Sequence, residues 1–137
     1  MIPAASEPAR EGAPNGSDAG TISLSIERGK RLGRSAPGTN AVADEQAGAV
    51  VKVAGELEFG TAPTLREALL GLSQEGADPV VVDLADVHFI DSSGVSLLVQ
   101  AKQRIESQGG RFVLRRPAHR VKRVLEVSGL AEMFAID

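Results

Sequence analysis

A chain of 137 residues with 42% apolar content suits one domain, and an aromatic content of 3% means its core must be aliphatic. The absence of cysteine excludes disulfides, thiolate metal sites and cysteine redox switching, and a net charge of −3 favours no polyanionic partner. With four phenylalanines and neither tryptophan nor tyrosine, no base-stacking platform for nucleic acid is expected.

Apolar runs all fall short of the ~18 residues of a membrane span. Residues 1–20, MIPAASEPAREGAPNGSDAG, lack the basic start and apolar stretch of a signal peptide, so a soluble cytoplasmic protein without a membrane partner is expected. The same residues are Pro, Ala, Gly, Ser and acids without period, and they read as a disordered N-terminal tail.

Thr21 to Ile26, TISLSI, alternates apolar and polar residues as a half-buried edge strand does. A basic, glycine-rich segment, Arg28 to Arg34, follows, and then the loop-like SAPGTN. Long structureless loops are rare inside compact domains, so residues 21–38 are an uncertain strand and basic loop, and Ala41 to Ala43 is a second candidate for the first strand. Ala49 to Val53 is a strand. Thr61 is placed to cap a helix that carries Pro63 in its first turn and faces inward with Leu65, Ala68, Leu69 and Leu72; Gly76 ends it.

Val80, Val81 and Val82 form the β-branched run of a strand buried on both faces. A second apolar patch, Val87 to Ile90, leads into Asp91, Ser92, Ser93 and Gly94. After the glycine the period becomes helical, with Val95, Leu98, Ala101 and Ile105 on one side. An Asp or Ser at such a helix start serves as an N-cap, because its oxygen accepts from free backbone N–H groups. Gly109 and Gly110 stop this helix. Arg111 to Arg115 is a strand, Pro117 opens a third helix with Val121, Val124 and Leu125 inward, Gly129 stops it, and Phe134 to Ile136 closes the sheet. Strands and helices alternating in this way imply right-handed crossovers and a largely parallel sheet.

Several chemistries fail on inspection. Two serines, His88, His119 and several aspartates are the ingredients of a hydrolase triad, yet the G-x-S-x-G elbow is missing. A phospho-aspartate receiver needs acids clustered at strand ends and a late lysine, and no lysine follows Lys122. The phosphate-binding loop G-x-x-x-x-G-K-[ST] is absent as well. Glu56 and Glu58 resemble a carboxylate pair, but no second motif completes a site. Neither enzyme activity, cofactor nor metal is expected. Between Arg111 and Arg123 stand six basic side chains and no acid, read as a solvated rim or as a docking strip for an acidic partner.

One stretch goes further. VVDLADVHFIDSSGVSLL resembles the signature of the STAS domain, the module of bacterial anti-sigma factor antagonists. Two more segments agree in order: GELE at Gly55 to Glu58 with TAPTLREAL after it, and VKRVLEVSGL at Val121 to Leu130. The resemblance spans roughly Gly48 to Asp137 and implies a STAS-like α/β fold over residues 39–137, a largely parallel four- to five-stranded sheet with crossover helices and an antiparallel edge strand. It implies a regulator that works by partner switching. The unmodified form binds an anti-sigma factor serine kinase and frees the sigma factor; phosphorylation of Ser93 (alternatively Ser92) releases the complex, and a phosphoserine phosphatase resets it. By the same resemblance the partner surface comprises Gly55, Glu56, Glu58, Thr61, Asp91, Ser92, Ser93 and Gly94. This chain carries Glu58 where the family favours aspartate. The alternative is a non-switching STAS scaffold or accessory subunit of a membrane transporter.

Overall fold

A computed structural model describes residues 20–29 and 48–137. Five strands form one sheet in chain order: β1 (Ile22–Arg28), β2 (Ala49–Leu57), β3 (Val80–Ile90), β4 (Phe112–Arg115) and β5 (Ala135–Ile136). The helices are α1 (Ala62–Glu75), α2 (Ser92–Ser107) and α3 (His119–Val127), followed by a 3₁₀ turn at Ala131–Met133. β1 runs antiparallel to β2, whereas β2, β3, β4 and β5 are mutually parallel. The expected α/β architecture with an antiparallel edge strand is therefore the observed one. Each parallel step moves the same way across the sheet, so right-handed crossovers bring the three helices onto one face.

Register shows which side chains meet them. Ala49 and Val51 stand opposite Val80 and Val82, which stand opposite Phe112 and Leu114, and all six are buried. Leu65, Leu69 and Leu72 of α1, Leu98 and Ile105 of α2, and Val121 and Leu125 of α3 close over them. Burying each such aliphatic side chain contributes about 1.5–3 kcal/mol, which lets a core almost free of aromatics hold the domain. The exception is Phe112 against Phe134, with ring centroids 6.3 Å apart. On the other face, Lys52, Asp83 and Arg115 lie side by side across three strands.

Several local details differ from the sequence reading. The two apolar patches before Asp91 are one continuous strand, because Asp83 is buried and pairs with Arg116 rather than breaking the run. β2 continues to Leu57, so Gly55 and Glu56 belong to a strand. Pro117 precedes the third helix, whose N-cap is Ala118. Gly76 does end α1, in the left-handed conformation at φ 78°, and its N–H donates to the Ser73 carbonyl while that of Ala77 donates to Leu72.

The first strand, β1, takes in Ile22 to Ile26 of the TISLSI segment and runs on to Arg28, with Ile22 opposite Gly55 and Arg28 opposite Ala49. Gly29 N–H donates to the Gly48 carbonyl at 2.7 Å, so the ends of the long connection meet although many residues separate them. The other candidate, Ala41 to Ala43, lies outside the described residues, as do Lys30 to Arg34 of the basic segment and residues 1–19 of the tail. Among the described residues, no helix is long and apolar enough to cross a membrane.

Candidate functional site

β3 delivers the chain to Asp91, which has extended backbone angles and caps α2. Its Oδ1 accepts from the N–H groups of Ser93 at 2.8 Å and Gly94 at 3.2 Å. Its Oδ2 accepts from the N–H of Phe59 at 3.2 Å, and its own N–H donates to the Leu57 carbonyl. One carboxylate thus fastens the helix start to the turn that follows β2. Gly94 permits this closeness, since a Cβ there would stand 2.6 Å from the Leu57 carbonyl oxygen and 2.9 Å from Ile90 Cγ1.

The turn is closed by Thr61. It occupies the N-cap position of α1 without capping it: its hydroxyl donates to the Glu56 carbonyl at 2.6 Å and accepts from the Glu58 N–H at 2.9 Å. Thr61 is buried there, and the two residues before it are exposed, Phe59 by 80%. A large apolar ring on a pinned turn is the most conspicuous feature of this end of the sheet. The sequence reading passed over it, although a phenylalanine beside glycine in a nearly aromatic-free chain was a usable signal.

Gly55, Glu56 and Glu58 form a second cluster. Glu56 Oε1 accepts from the Thr21 N–H at 2.9 Å and Glu58 Oε2 from the Gly20 N–H at 2.8 Å. Gly55, at φ 111°, lies so close to β1 that a Cβ would overlap the Thr21 carbonyl. The two carboxylates therefore hold the start of β1, and the Leu57–Thr61 turn joins this cluster to Asp91–Gly94.

Ser92 is exposed and Ser93 half-buried. They line different grooves: Ser92 lies between α2 and α3 with Val95, Val99, Val124 and Leu130, and Ser93 lies between α1 and α2 with Phe59, Pro63, Arg66 and Leu97. Among the described residues, neither His88 nor His119 hydrogen-bonds either serine, and no group of three or more His, Cys, Asp or Glu stands where it could hold a metal ion. The basic strip is partly neutralised: Arg111 pairs with Asp78 at 3.2 Å, Arg115 with Asp137 at 3.7 Å and Arg116 with buried Asp83. Counting charges along the chain missed this because each acid comes from a distant stretch.

An α/β sheet thus brings a capped helix start, an exposed aromatic ring and two serines together at one end. The chain belongs to the STAS domain family, whose model matches residues 40–137. It is 35% identical over 87 residues to an anti-sigma-B factor antagonist of Bacillus subtilis, covering 64% of this chain and 79% of that protein. A second such antagonist, from Staphylococcus epidermidis, is 32% identical over 64% of this chain and 81% of its own length. Among solved structures, an anti-sigma factor antagonist from Mycobacterium paratuberculosis matches with a TM-score of 0.61 at 26% identity over 85% of each chain. The antagonist SpoIIAA in its unphosphorylated form matches in fold, with a TM-score of 0.63 at 21% identity over 84% of this chain and 88% of that one. As a member of this family of regulators, the chain is not an enzyme.

Proposed function

We propose that this protein is a cytoplasmic anti-sigma factor antagonist that acts by partner switching. In its unmodified form it binds an anti-sigma factor that is also a serine kinase, and the sigma factor is freed. Transfer of phosphate to Ser93 ends the complex, and a phosphoserine phosphatase restores it. The observation that carries the reading is the setting of Ser93: its N–H is locked by Asp91 while its side chain borders an open groove beside exposed Phe59. The similarity to antagonists from three organisms supports the role.

The physics of the switch follows from charge. Phosphorylation adds about −1.5 to −2 charge. A helix N-terminus favours an anion by roughly 0.3–1 kcal/mol, enough to leave the fold intact. At an interface built for a small hydroxyl, however, the same group adds bulk and like charge beside Asp91, and each ~1.4 kcal/mol lost costs tenfold in affinity. Ser93→Ala is expected to fold, bind the anti-sigma factor and resist phosphorylation, whereas Ser93→Glu folds and binds at least about tenfold more weakly. Ser92→Ala still accepts phosphate. Mass spectrometry after incubation with kinase and ATP reads the site directly. Phosphate on Ser92 alone, or equal affinity for Ser93→Glu and wild type, would refute the assignment.

A further inference from the structure

We propose that Arg66 is the internal counter-charge for a phosphate on Ser93, and that their pairing draws the guanidinium over the α1–α2 groove; this rests on the Ser93 reading above. Three observations carry it.

Two backbone N–H groups nearest Ser93 at the α2 start are already committed. Asp91 Oδ1 takes the N–H groups of both Ser93 and Gly94, so a phosphoryl group on Ser93 does not find those donors free and stands beside a carboxylate instead. The helix dipole still favours the anion, but its direct hydrogen-bond partners have to come from a side chain nearby.

The groove that Ser93 borders has a cavity volume of about 310 Å³ and contains a single charged side chain, Arg66, and no acid. Arg66 lies one helical turn beyond Pro63, while Ser93, Ser96, Leu97 and Gln100 recur at helical spacing along the facing side of α2, so both helices turn these residues to the same space. A guanidinium suits this task because its fork can give two parallel N–H bonds to phosphate oxygens, which an ammonium cannot.

Arg66 is also uncommitted among the described residues: it makes no ion pair there, whereas Arg28, Lys102, Arg111, Arg115 and Arg116 each do. Ser92 borders the other groove, which has no cation in its lining, so the same pairing is not open to a phosphate there. Phosphorylation would then act twice, by adding charge and by closing the groove next to Phe59.

The test uses full-length protein with phosphoserine installed at position 93 or 92 during synthesis, which makes it independent of any kinase. Phosphorus NMR follows the second ionisation of the phosphate, ordinarily near pH ~6. An exposed cation partner lowers that midpoint, so Arg66→Gln is expected to raise it for phospho-Ser93 by about 0.2–0.7 unit at low salt, Arg66→Lys by less, and the difference shrinks in ~1 M salt. Phospho-Ser92 should not respond. An unchanged midpoint for phospho-Ser93 in Arg66→Gln, or an equal response at Ser92, would overturn the proposal. Failure of a kinase to use Ser93 would refute only the functional reading.

Discussion

The Asp91 carboxylate holds Phe59 by its backbone N–H at 3.2 Å while capping the helix that begins at Ser92. One side chain thus sets both the presentation of Ser93 and the position of the exposed ring. Asp91→Ala removes the acceptor of all three N–H groups and is expected to cost about 0.5–2 kcal/mol, as lost N-caps do. Asp91→Asn keeps one acceptor oxygen for the cap but turns an amide donor toward the Phe59 N–H. Amide exchange separates the two: Phe59, Ser93 and Gly94 should all speed up in the alanine variant, and Phe59 alone in the asparagine variant. Uniform protection in both would mean the carboxylate is not the tie.

Phe59→Ala tests the ring. With 80% of the residue exposed, stability should stay within about 0.5 kcal/mol of wild type. Exposed aromatics that anchor an interface lose more than about 1–2 kcal/mol of binding on truncation, so calorimetric titration with the anti-sigma factor should show roughly tenfold weaker affinity. Equal affinity would remove Phe59 from the interface.

Much of this was readable along the chain because it rests on short-range rules. The β-branched run at Val80, the change of period after Gly94 and the cap at Asp91 each involve neighbours within a few residues. What escaped depends on distant groups. Thr61 looked like a cap, yet its hydroxyl donates to the Glu56 carbonyl and accepts from the Glu58 N–H, closing the turn and making no hydrogen bond to the helix amides. Glu56 and Glu58 resembled a carboxylate pair along the chain, and only the fold shows that the start of β1 lies against them. Arg115 and Arg116 looked like a solvated rim or a docking strip until Asp83 of β3 and Asp137, just beyond β5, came to lie against them.

Gly94→Ala opposes two effects of opposite sign. Alanine is favoured over glycine inside a helix by about 0.8–1 kcal/mol. Here its Cβ would stand 2.6 Å from the Leu57 carbonyl oxygen and 2.8 Å from Leu57 Cγ, and overpacking of this kind costs about 1–3 kcal/mol. The steric term should win, lowering the thermal midpoint. A midpoint at or above that of wild type would show that the β2 exit yields to the added methyl.

Asp83 predicts a pH dependence. Burial pushes its carboxyl up, but the hydrogen bond from Arg116, the N–H of Ala85 and the charges of Arg116 and Arg115 outweigh burial and hold it below its ordinary value of 3.8. The folded state therefore binds this proton less readily than the unfolded chain. The resulting stabilisation is complete above the ordinary value and is lost as pH falls through the lower folded one. Denaturant unfolding of wild type and Asp83→Asn should differ most at neutral pH and converge below about pH 4. A gap that persists unchanged into acid would contradict the pairing.

The hold of Glu56 and Glu58 on Thr21 and Gly20 also bears on how the protein is best attached to a surface. A tether entering before Gly20 meets the sheet at the same end as the start of α2, where it would crowd an incoming partner. The chain has no cysteine, so a Ser107→Cys variant carries one unique thiol. That handle lies fourteen residues beyond Ser93, about 21 Å along α2 at 1.5 Å per residue. Immobilised through it, the molecule presents Ser93, Phe59 and Arg66 away from the support.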